Sequence, residues 1–327
     1  MTVRAFFQAA KIEDFQSPYD TIHLKVFYPA QISTGKVERN RANLPVDLEK
    51  APFPVVIFFN GFNCDAQQYQ WLAVKLAERG LVVILFNWIA ESIPGIMSLT
   101  PGVDFEKLKP TIYRTVPTAP ALPTLLAKVE QLQSEGILAG MLDLQRIILG
   151  GHSAGGRVAI ENADPHFFPQ VAASFGYGLH TMATLSLGYE AATILSLPDS
   201  LPLLLMGGTC DGVIANNSDR YGVSSGNATT SVIRTFQEAI AGGRNDSYLL
   251  LLEGANHFSI VDRLDSTLDI TLLDFPATQP QETFRLLMGE IISLFIDTHV
   301  RHQSGASLLL EQLLSAANPL IKSFERK

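Results

Sequence analysis

The chain has 327 residues, 47% of them hydrophobic and 17% charged, which is enough apolar material for a large core and excludes a disordered or fibrous chain. Lys+Arg 24 against Asp+Glu 32 gives a formal net charge of −8. Binding to nucleic acid depends on concentrated positive charge, so no nucleic-acid partner is expected. Two cysteines, Cys64 and Cys210, are too few for a disulfide scaffold and stand in no CxxC or His/Cys cluster, so no metal site is expected from them.

The segment Met1 to Lys11 lacks the basic, apolar and small-residue parts of a secretion signal, and no run of about 18 uncharged apolar residues suggests a membrane span. These features predict a cytoplasmic protein. Val3 to Ala9 and Thr21 to Tyr28 have strand-like content with a short polar stretch between them, so the chain should begin with an antiparallel pair. Arg39 to Lys50 is polar and loop-like. Pro54 to Phe59 is a continuous apolar run, as a strand buried on both faces requires, and it ends at Asn60-Gly61. Gln67 to Arg79 has helical spacing, with Gly80 as a stop signal; Leu81 to Phe86 is the next buried strand.

From Trp88 to Pro120 prolines at 94, 101, 110, 117 and 120 argue against any continuous helix, and an irregular excursion of that length is uncommon unless it has a job. Ala121 to Gln133 reads as a helix, Arg146 to Leu149 as a strand and Ala154 to Ala163 as a helix. Strands follow at Val171 to Phe175, Leu201 to Met206 and, last, Tyr248 to Leu252. Gln281 to His299 has helical spacing, with Phe284, Leu287, Met288, Ile291, Ile292 and Phe295 on one side. The alternation predicts an α/β class fold: a mostly parallel central sheet with helices on both faces and an antiparallel N-terminal start, over 1–327 as one domain. A helical extension is expected over 304–327.

The chemistry centres on Gly151-His152-Ser153-Ala154-Gly155, a GxSxG pattern directly after an apolar strand. A strand that turns at once into a helix strains the middle residue and leaves its side chain standing out, while glycines on either side prevent collisions. A serine hydroxyl needs a base to remove its proton, and the base needs a carboxylate to hold its tautomer. The expected chain order is Ser, acid, His. Gly207-Gly208-Thr209-Cys210-Asp211-Gly212 places Asp211 on the loop after Leu201 to Met206, as the acid or as an Asx-turn residue. His257 directly follows the strand at Tyr248 to Leu252 and is the expected base. His152 sits beside the nucleophile, where adjacent side chains point apart; His23, His166 and His180 close no triad, and His299 with His302 lacks a third metal ligand. Backbone N–H groups of Ala154 and Phe62 are the expected oxyanion donors.

At Asn60-Gly61-Phe62, Gly151 to Gly156, Gly208 to Gly212 and Gly254 to His257 the chain resembles the α/β-hydrolase superfamily, and within it the chlorophyllase and dienelactone-hydrolase-like esterases. The resemblance spans roughly Phe53 to Val300. It implies a carboxylic ester hydrolase that works through an acyl-enzyme on a small lipophilic ester, with chlorophyll dephytylation as the most specific form and no cofactor. Thioesterase, acyltransferase and non-catalytic ligand-binding readings use the same scaffold. Two departures stand out: Asn60 occupies a position where relatives have His, and Ala154 a position where chlorophyllases have Arg. For the substrate, the segment 88–120 offers Trp88, Ile89, Ile93, Ile96 and Met97, either as an apolar pocket lining and lid or as packing; Tyr177, Leu179 and Phe258 are further pocket candidates. Leu308, Leu309, Leu310, Leu313, Leu314 and Ala317 form a stripe ahead of a basic end, Lys322, Arg326 and Lys327, suited either to peripheral membrane contact or to docking on the protein itself.

Overall fold

The computed structural model describes residues 2–31, 44–93, 95–224 and 226–327, with the side chains at 92 and 93 outside that description. The first part of the expected polar loop 39–50 also lies outside the described residues. Strands Thr2–Lys11 (β1) and Thr21–Ala30 (β2) pair antiparallel along their whole length. Phe53–Phe59 (β3) follows, then Val82–Ile93 (β4), which pairs antiparallel with β2 and parallel with β3. Beyond β3 every neighbour is parallel: Leu142–His152 (β6), Val171–Tyr177 (β7), Leu203–Gly208 (β8) and Ser247–Leu252 (β9). The structure is therefore an α/β fold with a mostly parallel central sheet in the order β1-β2-β4-β3-β6-β7-β8-β9, and Ile321–Arg326 (β10) closes the far edge antiparallel to β9.

Side chains alternate across this sheet, so each central strand feeds two cores. Val56, Phe58, Leu85, Ile148, Leu204 and Leu250 face one side. They meet Gln70–Glu78 (α1) and, from the C-terminal part, Gln281–His299 (α6) and Ala306–Ser315 (α7). Val55, Ile57, Phe59, Ile84 and Leu149 face the other side, under Ala121–Ser134 (α2) and Ser153–Glu161 (α3). Thr230–Ala239 (α5) covers the same face further along, over Leu203, Leu205, Leu249 and Leu251. The unbroken apolar runs follow from this double cover.

Three expectations need correction. β4 does not stop at Phe86: it continues to Ile93 and turns back as Ile96–Leu99 (β5), so the start of the supposedly irregular 88–120 segment is a β-ribbon. Alternation in Trp88-Ile89-Ala90-Glu91 carries that ribbon, masked in the sequence by the prolines that follow. Tyr248 to Leu252 is not the last strand, because β10 follows it. The extension 304–327 is helical only over Ala306–Ser315; after it, Lys322 pairs with Glu253, Arg326 stacks on Tyr248 and Lys327 donates to the carbonyls of Gln237 and Ile240. Within α7, Ala306, Leu310 and Leu314 are buried against the body while Leu308 and Leu309 are exposed. Among the described residues no helix is long and apolar enough to cross a membrane.

Candidate active site

β6 runs into α3 with no residue between His152 and Ser153, and Ser153 takes φ +53°. A non-glycine residue in that left-handed region stores on the order of 1–3 kcal/mol of strain. The flanking glycines make the turn sterically feasible. A Cβ at Gly151 would lie 2.5 Å from Gly155 O, and one at Gly155 would lie 2.2 Å from Asn60 O and 2.3 Å from Phe59 O. The first turn of α3 thus lies directly against the end of β3, where the loop through Phe62 begins.

Asp211 leaves the end of β8 as the N-cap of the short helix Gly212–Asn216 (α4). Its Oδ1 accepts from Ile214 N–H at 2.9 Å, and its two carboxylate oxygens lie 3.0 and 2.8 Å from His257 Nδ1. The turn-forming role and the contact with the imidazole coexist in one fully buried side chain. Because a carboxylate only accepts, Nδ1 carries the proton and Nε2 is left as the basic nitrogen. Burial of His257, the largest single influence, works against protonation. The charge and hydrogen bond of Asp211 and the charge of Asp274 outweigh it, and His257 titrates above an ordinary imidazole.

Among the described residues no hydrogen bond joins Ser153 Oγ to His257. Instead the two turns are connected through His152, the neighbour of the serine, whose ring stands 4.8 Å from that of His257. His152 Nε2 lies 2.9 Å from the carbonyl of His257 and Nδ1 lies 2.8 Å from the hydroxyl of Tyr69. A carbonyl cannot donate, so Nε2 carries hydrogen and Nδ1 accepts from Tyr69, which itself accepts from Gly61 N–H at 3.1 Å. Burial and the neighbouring His257 push the His152 pKa well below the ordinary value, keeping the ring neutral. One directional chain of hydrogen bonds therefore links the loop after β3, the β6–α3 turn and the turn after β9.

In the loop after β3, Gly61 N–H is taken by Tyr69 and Asn63 N–H by the carbonyl of Leu99, while Phe62 N–H between them has no acceptor among the described residues. Ala154 N–H belongs to the first turn of α3, where backbone donors have no intrahelical partner. Asn60 closes the loop by donating to the carbonyl of Cys64 at 2.9 Å.

The substrate candidates divide. Trp88 is buried, its indole donating to the carbonyl of Tyr19 at 2.9 Å and its ring edge-on to Phe15, so it packs the segment to the body and lines no open surface. Ile89, Ile96 and Met97 are exposed on the β4–β5 ribbon; the backbone of Ile93 pairs with Ile96, and its side chain lies outside the described residues. Tyr177 is fully buried and donates to the carbonyl of Asn256 beneath the His257 turn, a supporting position rather than a pocket wall. Phe258, also buried, stands edge-on to His257, and Leu179 is buried against Gly156 and Gly176.

Several residues of this site escaped the sequence. Tyr69 looks like an ordinary helix-start aromatic. Gly178, at φ +64°, directly follows β7 where a Cβ would stand 3.2 Å from His257 Nδ1. Asp274 lies in an aperiodic segment, yet its carboxylate reaches the backbone of both the Asp211 and the His257 turn. Among the described residues no cluster of three or more His, Cys, Asp or Glu side chains is placed to hold a metal ion, and His299 is engaged by the hydroxyl of Tyr248 at 3.0 Å. Sequence comparisons match the chain to no family model and to no curated protein.

Proposed function

We propose that the protein is a serine carboxylic ester hydrolase of the α/β-hydrolase type, with Ser153 as nucleophile, His257 as general base and Asp211 as its orienting acid. The observation that carries the reading is a buried Asp211–His257 pair, from turns after β8 and β9, tied through His152 to the turn after β6 on which Ser153 is held at φ +53°. Proton transfer from Ser153 Oγ to His257 Nε2 makes the oxygen nucleophilic, and the imidazolium formed is stabilised by Asp211. Attack on the ester carbonyl yields an oxyanion facing the N–H groups of Phe62 and Ala154, each donor worth about 3 kcal/mol in such sites. His257 then returns the proton to the leaving alcohol, and water releases the acid from Ser153 by the same steps in reverse.

The exposed Ile89, Ile96 and Met97 support a lipophilic substrate, because their ribbon is rooted beside the oxyanion loop: Asn63 N–H donates to Leu99 O at 2.8 Å, and Leu99 N–H to Asn63 Oδ1 at 3.1 Å. Chlorophyll dephytylation is the most specific form of the reading and rests on the motif resemblance, from which Ala154 departs. The test is Ser153→Ala assayed with p-nitrophenyl esters alongside fluorophosphonate labelling of the parent chain. Turnover and labelling should both vanish in a variant that unfolds cooperatively; retained turnover overturns the assignment. Incubation with chlorophyll, followed by a search for pigment freed of its phytyl chain, decides the narrower form.

A further inference from the structure

We propose that Asp274 is a second carboxylate of the acid–base pair, a positioning residue that fastens the Asp211 turn to the His257 turn and sets its own charge against the imidazole; the proposal rests on the ester-hydrolase reading above. Asp274 Oδ1 accepts from Gly212 N–H at 2.9 Å, from His257 N–H at 3.2 Å and from Phe275 N–H at 3.0 Å, and Oδ2 accepts from Phe258 N–H at 3.3 Å. Gly212 directly follows the acid, and His257 is the base. One carboxylate therefore fixes the backbone on both sides of the Asp211–His257 contact.

The segment that carries Asp274 is held in place from both turns. Asn216 donates to Leu273 O at 2.7 Å and Asn256 to Phe275 O at 2.8 Å, while position 212 admits only glycine, because a Cβ there would lie 2.4 Å from Phe275 N. These four N–H donors use both carboxylate oxygens, and the carboxylate adds charge. Burial, the largest influence, raises the pKa of Asp274, and nearby Asp211 adds to this; His257 and the backbone donors pull the other way. The charge of Asp274 in turn favours the protonated imidazole. The other titratable groups facing His257 are Asp211 from the turn after β8, His152 from the β6–α3 turn and His180 from the loop after β7. Burial keeps both of these histidines neutral, with His180 lowered to about 3.

Asp274→Asn keeps an acceptor at Oδ1 and removes the charge, and Asp274→Ser is a second neutral variant should the amide not fold. The reading is the NMR titration midpoint of the His257 imidazole, with the acidic limb of kcat/KM for p-nitrophenyl butyrate beside it. Both should move to lower pH, and Asp274→Glu should restore them toward the parent. Asp274→Ala, which removes the acceptor as well, should lower kcat by about ten-fold with KM changed less than about two-fold, the signature of misplaced catalytic groups. A folded neutral variant whose His257 midpoint stays at the parent value overturns the proposal. Labelling of Ser153 by fluorophosphonate with no midpoint shift overturns this proposal alone, whereas a shift in a chain whose serine never labels overturns the hydrolase reading and leaves the Asp274–His257 coupling standing.

Discussion

Tyr69→Phe removes one oxygen from the interior and, on this structure, weakens both the fold and the chemistry. The hydroxyl is fully buried, accepts from Gly61 N–H at 3.1 Å and bonds His152 Nδ1 at 2.8 Å. Phenylalanine keeps the ring against Phe58, 4.8 Å between centroids, so no cavity opens and the cost comes from unmade hydrogen bonds. Two buried groups lose their partner, at about 1–3 kcal/mol each, which puts the loss of stability at about 2–6 kcal/mol. Gly61 directly precedes Phe62, so its release also loosens the proposed oxyanion donor. Deleting such a donor outright costs roughly 3 kcal/mol of transition-state stabilisation, and a displaced one should lose part of that, about ten-fold in kcat. Urea unfolding reads the first effect as a lower midpoint at unchanged slope, and p-nitrophenyl ester kinetics read the second. A variant that keeps both the parent midpoint and the parent kcat would refute the relay from Gly61 through Tyr69 to His152.

Ester turnover should fall in acid with a midpoint above the ordinary imidazole value of about 6.5, because His257 must be neutral to act and its pKa is raised; a midpoint below that value contradicts the assignment of His257. Stability has a different pH dependence. His152 and His180, whose folded pKa values are depressed, contribute stability that is present above the unfolded value near 6.5 and lost as pH falls. Their two protons, taken up only by the unfolded chain, contribute about 3 kcal/mol per pH unit to the slope below pH 6, and His299, lowered to about 4, adds to it, measurable by urea titrations at several pH values. His257, with a raised pKa, contributes stability present below about 6.5 and lost as pH rises through its folded value. Gly155→Ala should cost more than about 3 kcal/mol and abolish fluorophosphonate labelling, since the new Cβ falls 2.2 Å from Asn60 O on a strand end that has nowhere to move. A folded, reactive Gly155→Ala variant would show that the turn after β6 tolerates a looser contact with β3.

The strands were the legible part of this chain because burial on both faces writes itself as unbroken apolar runs: Pro54 to Phe59 and Val171 to Phe175 lie within β3 and β7. α6 matches its periodic stripe from Gln281 to His299. α5 escaped because Thr230, Ser231 and Thr235 dilute its apolar face, although Val232 and Phe236 are fully packed. β10 escaped because an edge strand pairs on one side only, and Ile321-Lys322-Ser323-Phe324 shows no continuous run. In the candidate site, the placement of Ser153, Asp211 and His257 directly after three strands was legible. Tyr69, Gly178 and Asp274 were not, because each owes its place to a contact between segments far apart in the chain.

The strand order explains why those hidden residues are needed. Ser153 follows β6 and His257 follows β9, three strands away, while neighbouring strands stand about 4.8 Å apart. The base turn must therefore reach back roughly 14 Å across the ends of β8 and β7. The end of β7 lies in its path, and a side chain at Gly178 would stand 3.2 Å from His257 Nδ1 and 3.3 Å from Asp211 Oδ2, on the contact the pair depends on. Glycine at φ +64° leaves that passage open. With no side chain there to brace the imidazole, support has to come from elsewhere. It comes from His152 through the carbonyl of His257, from Tyr177 through the carbonyl of Asn256, and from Asp274 through the N–H groups of His257 and Phe258. The turn after β9 is thus fixed by its backbone, which leaves the imidazole of His257 bonded to Asp211 through Nδ1 and its Nε2 outside that contact.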